Sequence, residues 1–185
     1  INARKPWPGR RFSILFFLYL SNSLYAEDGY RLWLRYDKID NTALLTQYKK
    51  IIQSVSITGN SPTLKVVRNE IEKGLSGLLG TGVKFVNTNG SLIIGKSTDL
   101  TFVTEELNKQ QLQKLGTEGY IIFTKNISGK KTIIISANTD IGLLYGSFNF
   151  LRLLQTQQTL ENLNIISVPQ IKLRILNHWD NLNRH

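Results

Sequence analysis

The chain has 185 residues, 41% hydrophobic and 19% charged, which is enough for one globular domain with a real core plus flanking sequence and excludes a disordered chain. It contains no cysteine, which rules out a disulfide framework, a thiolate metal site and a cysteine nucleophile. Its formal charge is +10, but Arg4, Lys5, Arg10 and Arg11 are concentrated at the start; without residues 1–26, 19 basic and 13 acidic residues remain, scattered rather than striped, and no nucleic-acid partner is indicated.

The basic start runs into an apolar stretch over 12–20 and then into small and polar residues ending at Ala26, the order of a secretory signal peptide over 1–26. The apolar stretch falls short of the roughly 20 residues that span a bilayer, so no stable membrane anchor is expected. Export without disulfides suits a periplasmic or extracellular protein.

Residues 27–36 alternate in part, with Leu32 and Leu34 on one side and Arg31, Trp33 and Arg35 on the other, and read as an early strand. Leu44, Tyr48 and Ile51 recur at helical steps over 41–51, and 54–57 reads as a strand. Ser61-Pro62 is a helix start, Leu64, Val67, Ile71, Leu75 and Leu78 form the stripe, and Gly80 stops it. Short strands are expected at 83–86 and 92–95, separated by the turn-like residues 87–90. A small helix over 108–115 ends at Gly116, with Glu105 and Glu106 preceding it.

Residues 120–124 and 132–136 read as a hairpin whose nearly continuous apolar character requires cover on both faces of the sheet. Thr139 or Asp140 caps a second long helix with Ile141, Leu144, Tyr145, Phe148 and Leu151 as its expected apolar stripe. Residues 155–169 read as a connection to a last strand over 171–176. The order predicts an α/β (α+β) sandwich over 27–168, one mixed sheet with two main helices, followed at 169–185 by the start of a (β/α)8 barrel.

Little in the chain carries chemistry. Sugar hydrolysis needs two carboxylates, and the acids here are explained by helix faces, turns and segment ends, so no catalytic residue is assigned. His178 and His185 are too few and too irregularly spaced for a metal face, and residues 78–82 lack the lysine of a phosphate loop, so neither a metal nor any other cofactor is expected. Trp179, flanked by His178, Asp180 and Asn181 past the last strand, sits where barrel enzymes hold their sites; stacking on a sugar and plain packing both remain open for it. Trp33 reads as a packing residue.

The segments EDGYRLWLRY at 27–36 and LNHWDNL at 176–182 resemble the opening and first barrel strand of the xylan-degrading α-glucuronidases of glycoside hydrolase family 67, and residues 137–155 look like that family's second domain helix. The resemblance covers 27–185. It implies a parent enzyme that hydrolyses the α-1,2 link between (4-O-methyl)glucuronic acid and xylose in glucuronoxylan-derived oligosaccharides, with inversion and without a metal. Its catalytic carboxylates would lie on later barrel strands, this chain alone would be inactive, and any homodimer would form through regions beyond residue 185. Trp179 carries over as a substrate contact and Asn181 as its neighbour, although the motif continues here with Asn183-Arg184-His185 instead of Asp-Gly. The competing readings are a non-catalytic carbohydrate-binding module using Tyr30, Trp33 or Trp179, a supporting domain, and a basic adaptor.

Overall fold

A computed structural model describes residues 35–171 and residue 175. Helix α1 (Thr42–Ile51) starts where the Asn41 side chain accepts the Leu44 N–H, and it turns Leu45 and Tyr48 inward. Strand β1 (Ser54–Ile57) leads to α2 (Pro62–Leu79), the longest helix among the described residues. Ser61 caps α2 by accepting the Leu64 N–H at 3.1 Å, Pro62 opens its first turn, and Gly80 ends it in the left-handed region at φ 64°. The buried face of α2 contains the five residues of the expected stripe.

Strands β2 (Lys84–Phe85) and β3 (Leu92–Lys96) come next. The turn between them does not close a hairpin, because β2 and β3 lie on opposite sides of β1 and both run parallel to it. Helix α3 (Thr101–Glu106) is additional to the sequence reading: Glu105 and Glu106 form its end rather than lead into the next helix. That next helix, α4 (Lys109–Leu115), carries a complete capping box between Asn108 and Gln111 and stops at Gly116.

The hairpin pairs β4 (Tyr120–Ile127) with β5 (Lys130–Ala137) and is longer than expected. Ser128 and Gly129 hold φ of 50° and 78°, the positive pair that a type I′ turn demands. Helix α5 (Asp140–Gln155) begins at Thr139, whose hydroxyl accepts the Gly142 N–H. Strand β6 (Asn164–Ser167), inside the stretch expected to be a connection, pairs antiparallel with β4. The early strand over 27–36 and the last strand over 171–176 lie outside the described residues apart from Arg35, Tyr36, Ile171 and Ile175.

The apolar stripe expected on α5 is corrected by the structure. Gly142, Leu143, Gly146, Ser147, Phe150, Leu151 and Leu154 face inward, whereas Ile141 and Tyr145 are 41% and 37% exposed and Leu144 and Phe148 are half-buried. Only Leu151 belongs to both sets. The physical reason is close packing: a Cβ on Gly146 would stand 2.7 Å from Ile135 Cγ2, and one on Gly142 would stand 2.5 Å from the Gly119 carbonyl oxygen. The helix lies on the sheet through its small residues, which a pattern of large ones does not reveal.

The six strands form one mixed sheet in the order β2-β1-β3-β5-β4-β6, parallel from β2 to β5 and antiparallel beyond. Alternation along each strand divides the core between its faces. Val55, Leu92, Ile94, Ile122, Ile133 and Ile135 pack under α1, α2 and α5. Ile93, Ile121, Phe123 and Ile134 face the other way, against Leu100, Val103 and Leu107 around α3. Both faces are therefore covered, as the apolar hairpin requires. Each such aliphatic side chain contributes about 1.5–3 kcal/mol on burial, so the core holds the fold without a staple. At one edge, the Arg68 guanidinium lies 4.1 Å from the Phe85 ring centroid and shields the two-residue strand β2.

Candidate functional site

Trp179 and Asn181, with His178 and Asp180 beside them, lie outside the described residues, as do Tyr30 and Trp33. The structure therefore neither brings them together nor separates them. What it does describe is the domain that precedes them, and its acids are dispersed. Glu70 accepts the Tyr36 hydroxyl at 3.2 Å, Glu105 pairs with Lys125 at 3.2 Å, Glu161 accepts the Gln47 amide at 3.0 Å, and Asp99 accepts the Thr98 hydroxyl at 2.9 Å. Each of these four carboxylates is engaged by a different neighbour and none by another carboxylate, while Asp140 Oδ1 is buried without a hydrogen-bond partner. Among the described residues no group of three metal-ligating side chains occurs.

Open α/β sheets bind ligands where neighbouring crossovers leave in opposite directions, outside the carboxyl ends of the strands. Here that point falls between β1 and β3: β1 leads to α2 and on to β2 at one edge, and β3 leads through α3 and α4 to the hairpin on the other side. Several of the polar groups there are used internally, while Ser136 Oγ near the end of β5 is buried without a hydrogen-bond partner. Thr58 N–H donates to the Ile94 carbonyl at 2.9 Å, and Leu100 packs over Gly95. Ser97 Oγ donates to Asn138 Oδ1 at 3.0 Å, while Asn138 Nδ2 donates to the carbonyls of Leu112 at 2.6 Å and Gly116 at 3.3 Å. The hydroxyl of Thr139 donates to the Thr117 carbonyl. Asn138 thus ties β3, β5 and α4 together, a bracing role that only the fold reveals.

Two clefts open at the opposite, amino ends of the parallel strands. One of about 480 Å³ lies among Gln47, Lys50, Ile51, Gln53, Lys130, Lys131 and Glu161, and an adjoining one of about 250 Å³ reaches Asn89, Ile93, Ser128 and Thr132; Gln53, Ser91 and Lys130 border both. Ser91 Oγ is saturated, accepting the N–H groups of Gln53 at 2.8 Å and Ser54 at 3.0 Å and donating to the Ser54 carbonyl at 3.0 Å. Neither cleft has an aromatic platform for a sugar ring among its lining residues.

Two tyrosines show the electrostatics of the core. Burial pushes the Tyr36 hydroxyl far above its ordinary range, with the Glu70 charge and its hydrogen bond adding to the effect. Tyr48, fully buried, donates to the Gln158 carbonyl and is raised by burial. Both groups link parts of the fold, and neither lines the two clefts.

Comparison with known proteins adds what geometry does not. A model of the family described as "Glycosyl hydrolase family 67 N-terminus" matches residues 32–150. An α-glucuronidase of Hypocrea jecorina is 31% identical over 170 residues, covering 86% of this chain and 19% of that protein. A probable α-glucuronidase A of Aspergillus fumigatus is 26% identical over 167 residues, covering 85% and 18%. Among solved structures, a family GH115 4-O-methyl-α-glucuronidase with specificity for decorated arabinogalactans superposes with a TM-score of 0.45 at 15% identity, over 60% of this chain and 16% of that one. The chain spans about a fifth of the length of the curated relatives it matches.

Proposed function

The chain belongs to the glycosyl hydrolase family 67 amino-terminal family, and on that premise we propose that it is the non-catalytic front of an exported α-glucuronidase. The parent enzyme releases (4-O-methyl)glucuronic acid from the α-1,2 link to xylose in glucuronoxylan-derived oligosaccharides. In this reading residues 1–26 are the export signal, 27–168 the supporting sandwich and 169–185 the start of the catalytic barrel. Trp179 and Asn181 contact the sugar, and the acid and base come from later barrel strands.

The observation that carries the reading is the family match over 32–150 combined with the chain's one-fifth share of its relatives' length. The engagement of Glu70, Glu105 and Glu161 in structural bonds agrees with it. The test is the open reading frame past the codon for His185, then an assay of its product on aldouronic acids. A continuing frame and an enzyme that frees the uronic acid, beside an inert 185-residue chain, support the proposal. A stop codon there, or hydrolysis by the 185-residue chain alone, sinks it; a stop combined with aldouronic acid binding by the chain favours a binding module instead. Trp179→Ala in the full-length product is expected to raise KM up to about tenfold, the loss of roughly 1.4 kcal/mol of stacking, and an unchanged KM removes Trp179 from the site.

A further inference from the structure

The start of strand β5 carries charge that the sheet does not use. Lys130 and Lys131 are adjacent and exposed, and their cross-strand partners on β4 are Ile127 and Asn126, positions where an acid would balance them. Lys50, exposed in the last turn of α1, borders the same cleft of about 480 Å³. Its charge suits the carbonyl end of its helix, but no such use accounts for the two lysines of β5. None of the three is in an ion pair among the described residues, and the acid in the lining, Glu161, accepts the Gln47 amide at 3.0 Å. Three like charges around one concave surface raise a positive potential that a bound anion relieves.

The neutral groups nearby add hydrogen-bonding capacity. Asn89 and Ser128 are exposed, their side chains have no partner among the described residues, and both line the adjoining cleft that shares Lys130. The larger cleft falls within the ~300–1,000 Å³ of small-molecule sites. No aromatic ring lines either cleft, so the feature they can recognise is charge and hydroxyl groups rather than the flat face of a sugar. Strand β6 runs from Asn164 beside Phe123 to Ser167 beside Tyr120, and Tyr120 pairs with Ala137 at the end of β5 remote from Lys130. The residues that follow Ser167 therefore depart from the opposite end of the sheet.

We infer that the lysine-lined cleft binds the carboxylate of a uronic acid, with Lys50, Lys130 and Lys131 as its cationic contacts and Asn89 and Ser128 available to the sugar hydroxyls. The anionic class of the ligand follows from the lysines. That the anion is a sugar acid rests on the functional reading above. Two sources carry this group, a uronic acid still attached to a xylooligosaccharide and the acid released from it. Either would be held on the front domain at a site of its own, apart from Trp179, which keeps acidic fragments at raised concentration beside the enzyme.

The test titrates the 185-residue chain, followed by NMR, with an aldouronic acid, free glucuronic acid, a neutral xylooligosaccharide of the same backbone length, and sulfate. The aldouronic acid is expected to bind with a Kd on the order of 1 mM, as exposed ion pairs allow. Binding should weaken severalfold between about 0.01 M and about 0.15 M salt, and the neutral sugar and sulfate should not compete. Lys50→Ala, Lys130→Ala and Lys131→Ala together are expected to weaken it about tenfold. Removing the same charge elsewhere, through Lys65→Ala, Lys73→Ala and Lys109→Ala, should leave the affinity in place. All six lysines are exposed, and Lys131→Ala alone, with a severalfold loss, replaces the triple variant if that one melts early. Glucuronic acid binding as tightly as the aldouronic acid supports the inference with the released acid as ligand; weaker binding supports it with the attached one. Absence of binding at millimolar ligand, equal affinity for the neutral sugar or sulfate, or equal losses in the two triple variants overturns it. So does binding lost in Trp179→Ala but kept in the lysine variant. These outcomes leave the functional reading standing, because the reading frame and the full-length assay decide that. A stop codon after His185 together with lysine-dependent binding would overturn the functional reading and keep this site.

Discussion

Replacing Gly142 by alanine tests the packing on which the described domain depends. A Cβ at 142 would lie 2.5 Å from the Gly119 carbonyl oxygen and 2.7 Å from Ala137 Cβ, one a backbone atom and the other a strand residue with no exposed surface. Neither can turn aside, so the first turn of α5 must lift from the sheet, and overpacking of this kind costs about 1–3 kcal/mol, here at the upper end of that range. Removing a helical glycine returns up to about 1 kcal/mol, less in a first turn. The net expectation is a loss of ~2 kcal/mol, or about 4–8 °C in Tm for a domain of this size. Urea and thermal unfolding followed by circular dichroism would measure it. Gly82→Ala serves as the opposite case: nothing lies within 4 Å of its Cβ position, its φ is not in the left-handed region, and it should gain about 0.4–1 kcal/mol. A Gly142→Ala protein as stable as the wild type would refute the close approach of α5 to the sheet.

Asn138→Ala removes one acceptor and two donor contacts between β3, β5 and α4, and is expected to cost about 2–3 kcal/mol in chemical denaturation; a loss below about 0.5 kcal/mol would mean that the bracing is idle. Ser61→Ala should cost about 1 kcal/mol by freeing the Leu64 N–H at the start of α2, measurable as a shift of the urea midpoint at constant slope. The raised hydroxyls of Tyr36 and Tyr48 remain protonated in the folded chain at pH values where the unfolded chain, titrating near 10, has begun to lose its protons. Their contribution is therefore complete below about pH 10 and is lost as pH rises beyond it. Stability measured from pH 9 to 11 should fall less steeply in Tyr36→Phe and Tyr48→Phe than in the wild type, and equal slopes in all three proteins would contradict the assignment.

Much of the fold was written locally. Ser61, Asn108 and Thr139 satisfy the free donors of their own helices, Gly80 adopts a conformation that side chains disfavour, and Ser128-Gly129 accepts the positive φ pair of a tight hairpin turn. Such signals act within a few residues, so the chain alone announced α2, α4, α5 and the β4–β5 hairpin, and the continuous isoleucines of that hairpin announced a sheet covered on both faces. The family was also present in the sequence, carried by a match over 32–150, whereas the acids and histidines pointed to no site. Strand order was not written locally: β1 separates β2 from β3 because the crossover through α2 carries the chain across one face before it returns. Strand β6 gains its hydrogen bonds only from β4, more than 35 residues away in the chain, and α3 is six residues long with no side-chain cap at its start. The inner face of α5 was decided last and by contact alone. Large apolar residues marked Ile141 and Tyr145 as core, yet glycines at 142 and 146 let the helix settle closer on its other side, where the gain in packing exceeds the gain from burying an isoleucine and a tyrosine. Periodicity reads which residues are apolar; only the tertiary structure decides which of two apolar faces the sheet takes and which it leaves exposed.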